Sequence, residues 1–155
     1  MDERIFEEVA RQLKSLHNAS YELIREGRYD EAGRLLISAG EISGMTGYRD
    51  GMGMSCMSLS NLEAVKGDCI RAIEYARASV EYLNEGTDRT RAEELLGRLS
   101  VAAVKLGMEK ERKGCFDEAL GLYFAALPNL EGKRREAVER EIGLLKGVQD
   151  GQCDS

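Results

Sequence analysis

The residues able to do chemistry are few and scattered. The chain has one histidine, His17, and four cysteines, Cys56, Cys69, Cys115 and Cys153. A cysteine nucleophile usually needs an imidazole beside it to form the thiolate, and one histidine can serve only one such site. No two cysteines form a CxxC pair, and a zinc site needs clustered ligands that this spacing does not offer. No metal and no cofactor are expected. There is no Gly-x-Ser-x-Gly elbow for a serine nucleophile. Gly44, Gly47, Gly51 and Gly53 crowd together, but no strand pattern precedes them and no Gly-Lys-Ser/Thr follows. They read as a turn that breaks helix rather than as a phosphate cradle. Asn18-Ala19-Ser20 matches a glycosylation acceptor, which has meaning only in a secreted protein. With 28 acidic residues, no one carboxylate pair stands out as a catalytic acid and base. The sequence predicts a protein that binds and is not an enzyme.

The totals narrow the partners. The net charge is −6 over 155 residues, opposite to what phosphate-driven nucleic-acid binding wants. Lys133, Arg134 and Arg135 form a basic cluster near the C-terminus. Glu131, Glu136 and Glu139 surround it, so it reads as a solvated helix face. No stretch approaches the ~18 apolar residues of a membrane span. The N-terminus, Met1-Asp2-Glu3, lacks the basic start of a signal peptide. These features predict a cytoplasmic protein with no membrane or nucleic-acid partner and with reduced thiols.

The elements follow from apolar spacing. Phe6, Val9, Leu13, Leu16, Ser20 and Leu23 step by three and four, one stripe on a helix that ends at Gly27. A second helix is expected over 29–43, a third over 52–66 and a fourth over 69–83, the last with Asp68 as N-cap. Thr87 or Asp88 is expected to cap a long fifth helix ending near Lys113. A sixth runs over 116–127 until Pro128, which disfavours helix in the residue before it. The seventh covers 130–147, and residues 149–155 form a flexible tail.

One phrase recurs through these elements. Gly27-Arg28-Tyr29-Asp30-Glu31-Ala32 returns as Gly67-Asp68-Cys69-Ile70-Arg71-Ala72 and as Gly114-Cys115-Phe116-Asp117-Glu118-Ala119. A small residue stands seven positions before each glycine (Ser20, Ser60, Gly107) and another seven after each alanine (Ala39, Ser79, Ala126). This pattern resembles the tetratricopeptide repeat, a helix–turn–helix unit of about 34 residues. The spacing of 40 between Gly27 and Gly67 is similar to the longer variant of that family, and that of 47 from Gly67 to Gly114 reflects a lengthened fifth helix. The resemblance implies an all-α fold, a right-handed α-α superhelix of about seven antiparallel helices. It implies one domain over 1–148, with repeats at 13–46, 50–86 and 88–128 and a capping helix at 130–147.

Such stacks build concave surfaces that bind. Carried over residue by residue, the resemblance places the groove at Lys14, His17, Tyr21 and Arg25 in the first repeat. It adds Met54, Met57 and Asn61 in the second, with Ser58 among them, and Val101, Val104, Lys105 and Met108 in the third. Met52, Met54, Met57 and Met108 make the surface methionine-rich, and methionine adapts to varied apolar guests. The expected function is a non-catalytic adaptor binding a protein, a peptide or a helix in that groove. The alternatives are a regulatory domain sensing a small apolar molecule in a closed pocket, or a module that homodimerises through the methionine face.

Overall fold

The computed structural model of the protein describes residues 2–148, 150 and 151. Among these residues every regular element is helical. The order is α1 (Glu3–Arg25), α2 (Tyr29–Met45), α3 (Arg49–Lys66), α4 (Cys69–Tyr82), α5 (Thr87–Arg112), α6 (Phe116–Ala126) and α7 (Gly132–Leu145), with a 3-10 turn at Leu127–Asn129. The all-α expectation therefore holds. The chain divides into two compact units, Met1–Glu93 and Glu94–Ser155.

In the first unit the recurring phrase is a recurring piece of geometry. Gly27 and Gly67 have φ of +76° and +89°, a left-handed conformation that glycine adopts without a Cβ penalty. The chain then turns sharply enough for Arg28 N–H to reach Leu23 O, and Asp68 N–H to reach Glu63 O, both at 2.9 Å. The small residues flanking each turn (Ser20, Ala32 and Ala39; Ser60, Ala72 and Ser79) are all fully buried. Their size lets antiparallel helices approach closely. Ser60 Oγ donates to Ala72 O at 2.6 Å and Ser79 Oγ to Gly53 O at 2.9 Å, tying α3 to α4 at two levels. Each such buried bond contributes about 1 kcal/mol net, and each hydroxyl would be costly if left unpaired. Around them, Ala32, Leu36, Leu59 and Leu62 form one apolar cluster and Val9, Leu13 and Ala39 another. Phe6, at the exposed end of the α1 stripe, meets Tyr48 edge-on at 5.1 Å.

The glycine cluster is not one turn. Only Gly47, with φ of +69°, lies between helices. Helix α3 begins at Arg49, not at Met52, and Gly51 and Gly53 sit inside it. A Cβ on Gly51 would fall 2.5 Å from Ser43 Oγ and 2.6 Å from the Tyr48 ring, and one on Gly53 would fall 2.5 Å from Leu83 Cγ. These glycines are helical residues whose missing side chain admits a neighbour. Two further boundaries differ. Thr87 and Asp88 lie within the first turn of α5 rather than capping it. Helix α7 is shorter than expected because Leu130 is extended and Gly147 has φ of +83°.

The second unit repeats the turn at Gly114, with φ of +78° and Cys115 N–H donating to Lys110 O at 2.9 Å. Ala119 and Ala126 are fully buried, and Gly107 lies under the Tyr123 ring. The sequence expectation of a free tail does not hold for Asp150 and Gly151. Asp150 Oδ1 accepts from Asp117 N–H at 2.8 Å, and Gly151 N–H donates to Gly114 O at 3.0 Å. The N-cap residue of α6, Cys115, makes no side-chain capping bond, so Asp150 meets an orphan donor of that helix from a distant part of the chain. The expectation of reduced thiols also fails at Cys115, which is disulfide-bonded. Cys56 and Cys69 are thiols. Cys153 lies outside the described residues, as do Gln149 and the other terminal residues of the predicted tail.

Candidate functional site

The first-unit residues of the predicted groove are set by α1 and α3. Tyr21 Oη and Ser58 Oγ are 3.5 Å apart, and Ser58 Oγ is 3.3 Å from His17 Nδ1. These contacts join residues 37 and 41 positions apart and place α1 and α3 side by side. Along α1, Lys14, His17, Tyr21 and Arg25 follow one another by three or four residues, so they share a face. Along α3, Met54, Ser58 and Asn61 do the same. Met54 and Met57 are half-buried, while Lys14, Tyr21, Arg25 and Asn61 are exposed. Arg25 pairs with Glu22 at 2.8 Å, an exposed pair that adds little stability. Met52 turns the other way, its thioether packing over Gly44 of α2, so it belongs to the seam between helices.

The electrostatics of this face are mild. Burial holds the His17 imidazole below its ordinary pKa of 6.5, so it is neutral at physiological pH and suited to hydrogen bonding. Burial pushes the Cys56 thiol up, and burial with the nearby Asp68 charge does the same to Cys69. Both are disfavoured as thiolates, the form a nucleophile needs. Ser58 is only 5% exposed, leaving a substrate little approach to its hydroxyl.

The remaining four predicted residues belong to the second unit and do not share one face. Val101 and Lys105 border a shallow recess along α5 with Glu94 and Arg98. Val104 and Met108 turn instead toward a cavity of about 470 Å³ between α5, α6 and α7. Ala137 and Val138 complete its apolar wall, and Tyr123 lies against it. Tyr123 is fully buried and donates to Glu111 Oε1 at 2.5 Å. Burial, reinforced by that bond and by the Glu111 charge, lifts the phenol far above its ordinary range, so it stays protonated. Burial, the Glu111 charge and a hydrogen bond with Glu111 raise the Glu141 pKa in turn. Arg112, Arg134 and Arg140 stand on the exposed rim. Arg134 comes from the basic cluster, whose Arg135 pairs with Glu139 at 3.0 Å.

Sequence reasoning missed Glu111, Tyr123 and Glu141. Two of them are glutamates among 28 acids. The only sequence signal was the glycine at 107, where the two other repeats carry serine. Among the described residues no group of three or more His, Cys, Asp or Glu side chains could hold a metal ion, and no helix is long and apolar enough to cross a membrane. No protein-family model matches the chain, and no curated protein matches it.

Proposed function

We propose that the chain is a tetratricopeptide-like helical-repeat module, a cytoplasmic adaptor that binds a protein or peptide and does no chemistry. The continuation of its stack as a right-handed superhelix is part of this proposal. The observation that carries it is the junction of His17 and Tyr21 with Ser58. It joins α1 to α3, the helices on which the resemblance puts the groove. Half-buried Met54 and Met57 offer that groove deformable apolar contacts. Lys14, Arg25 and Asn61 give it a polar edge. A helix with an apolar stripe and a charged flank is the complementary guest.

Affinity capture from native cell extract tests this reading. The wild type is compared with Met54→Glu/Met57→Glu and with Leu144→Glu, the last at an exposed position of the second unit. A partner lost only in the methionine variant, with helical content unchanged by circular dichroism, is the expected outcome. The same partners on all three proteins would overturn it. A wild-type dimer broken by the methionine variant, with no other partner, would replace it with self-association.

A further inference from the structure

We propose that the cavity between α5, α6 and α7 binds an organic anion, a carboxylate on an apolar chain, and that Arg134 holds its charged end. The cavity has a volume of about 470 Å³, within the range of small-molecule sites, which pair apolar walls with a few polar groups. Val104 and Met108 of α5 and Ala137 and Val138 of α7 make the wall.

The charges around this wall are segregated. Arg134 and Glu141 both line the cavity from α7, and at a rise of 1.5 Å per residue they lie about 10 Å apart along its axis. Val104 and Glu111 have the same separation on α5. Arg134 also borders a second recess with Gly97 and Val101, so it stands at the Val104 end of the cavity. The other end holds Glu111 and Glu141 with Arg112 and Arg140, two acids and two bases. There the acids are answered. Glu111 accepts from Tyr123, Glu141 is hydrogen-bonded to Glu111, and the Arg140 charge acts on Glu141. Arg134 is not answered in this way. The ion pairs of this unit join Lys110 to Glu118, Lys113 to Glu109 and Arg135 to Glu139. Among the described residues none involves Arg134, although Glu131 shares the second recess with it. A guanidinium presents a planar fork of donors that matches a carboxylate. Because Arg134 is exposed, a carboxylate paired with it keeps part of its water and avoids the full desolvation cost of a buried pair. The apolar chain then covers the wall. An alcohol of the same length gains the chain contacts alone, and an ammonium meets a like charge.

Calorimetric titration of the full chain with n-hexanoate, n-hexanol and n-hexylammonium, at neutral pH and low salt, tests the assignment. Hexanoate is expected to bind with a dissociation constant on the order of 1 mM. Hexanol should bind about tenfold more weakly, and hexylammonium more weakly still. Arg134→Gln should bring hexanoate down to the level of hexanol and leave hexanol unchanged. Lys133→Gln removes an equal charge from the neighbouring exposed position and should keep the preference. Met108→Trp, at a half-exposed position on the cavity, should block hexanoate and hexanol alike. Helical content by circular dichroism should match the wild type in all three variants. The proposal is overturned if hexanoate does not bind, if hexanol equals it, or if Arg134→Gln keeps the preference. Loss of the preference in Lys133→Gln would also overturn it, since diffuse charge would then select the ligand, as would binding that survives Met108→Trp. Tightest binding of hexylammonium would overturn it by assigning selection to the glutamates.

Discussion

Gly107 and Tyr123 form a compensating pair, and substituting Gly107→Ala measures it. The residue seven before the turn glycine and the residue nine after it occupy matching positions in the three copies of the phrase. These pairs are Ser20 with Leu36, Ser60 with Ala76, and Gly107 with Tyr123. The third repeat has the largest second member, and there the first has shrunk to glycine. A Cβ at 107 would lie 2.6, 3.0 and 3.1 Å from three atoms of the Tyr123 ring. That ring is fully buried and tied through its hydroxyl to Glu111, so it cannot swing aside cheaply. Overpacking of this kind costs about 1–3 kcal/mol, and three crowded atoms place it near the upper end. Alanine returns about 1 kcal/mol of helix propensity over glycine. The net loss is about 2 kcal/mol, a fall in Tm of about 4–8 °C for a chain of this size. Urea denaturation followed by circular dichroism reads the difference. Tyr123→Leu, which copies the first repeat, should reverse its sign: in that background Gly107→Ala should be neutral or stabilising by up to about 1 kcal/mol. A coupling near 2 kcal/mol in the double-mutant cycle is therefore expected. Gly107→Ala that stabilises the wild type, or costs as much in the Tyr123→Leu background, would refute the reasoning.

Two other consequences are open to direct measurement. Because burial lowers the His17 pKa below 6.5 in the folded state, the unfolded chain takes up its proton first as pH falls. Stability contributed by neutral His17 is present above pH 6.5 and is lost from there down toward the lower folded value. His17→Gln should flatten the stability profile between about pH 7 and 5.5, and urea midpoints across that window with identical slopes for both proteins would refute the assignment. Asp150→Ala should expose the first turn of α6 and cost about 1 kcal/mol, the usual worth of an N-terminal cap. Amide hydrogen exchange should then show faster exchange at Asp117, and unchanged protection there would mean that the bond from Asp150 does not hold the turn.

Much of the first unit was legible because its signals are local. A left-handed turn needs glycine for want of a Cβ, so Gly27 and Gly67 mark turns wherever the chain later packs. Small residues at a fixed distance on either side foretell a close helix contact, and Ser60 and Ser79 are buried as that logic requires. The same local logic misplaced Gly51 and Gly53. A glycine in a helix and a glycine in a turn look alike in sequence, and only Leu83 and Tyr48, arriving from elsewhere, show which is which. That Lys14, His17, Tyr21 and Arg25 share a face of α1, and Met54, Ser58 and Asn61 a face of α3, was recoverable from helical periodicity. The candidate residues of α5 were not separable by that means, since Val101 and Val104 differ by less than one turn and yet border different recesses.

The turns at Gly27, Gly67 and Gly114, the helical stretches to within a few residues of their ends, and the small residues that admit close packing follow from the amino-acid order alone. These depend on backbone sterics and on a period of 3.6, and both act over a few residues. Tertiary structure alone decided that Glu111 and Glu141 face one cavity, that Tyr123 occupies the space left by Gly107, and that Asp150 caps a helix whose own N-cap residue offers no such bond. Each of these depends on contact between segments that share no local rule. A glutamate in the sequence carries no mark of its partner, and its environment is fixed only when the helices pack.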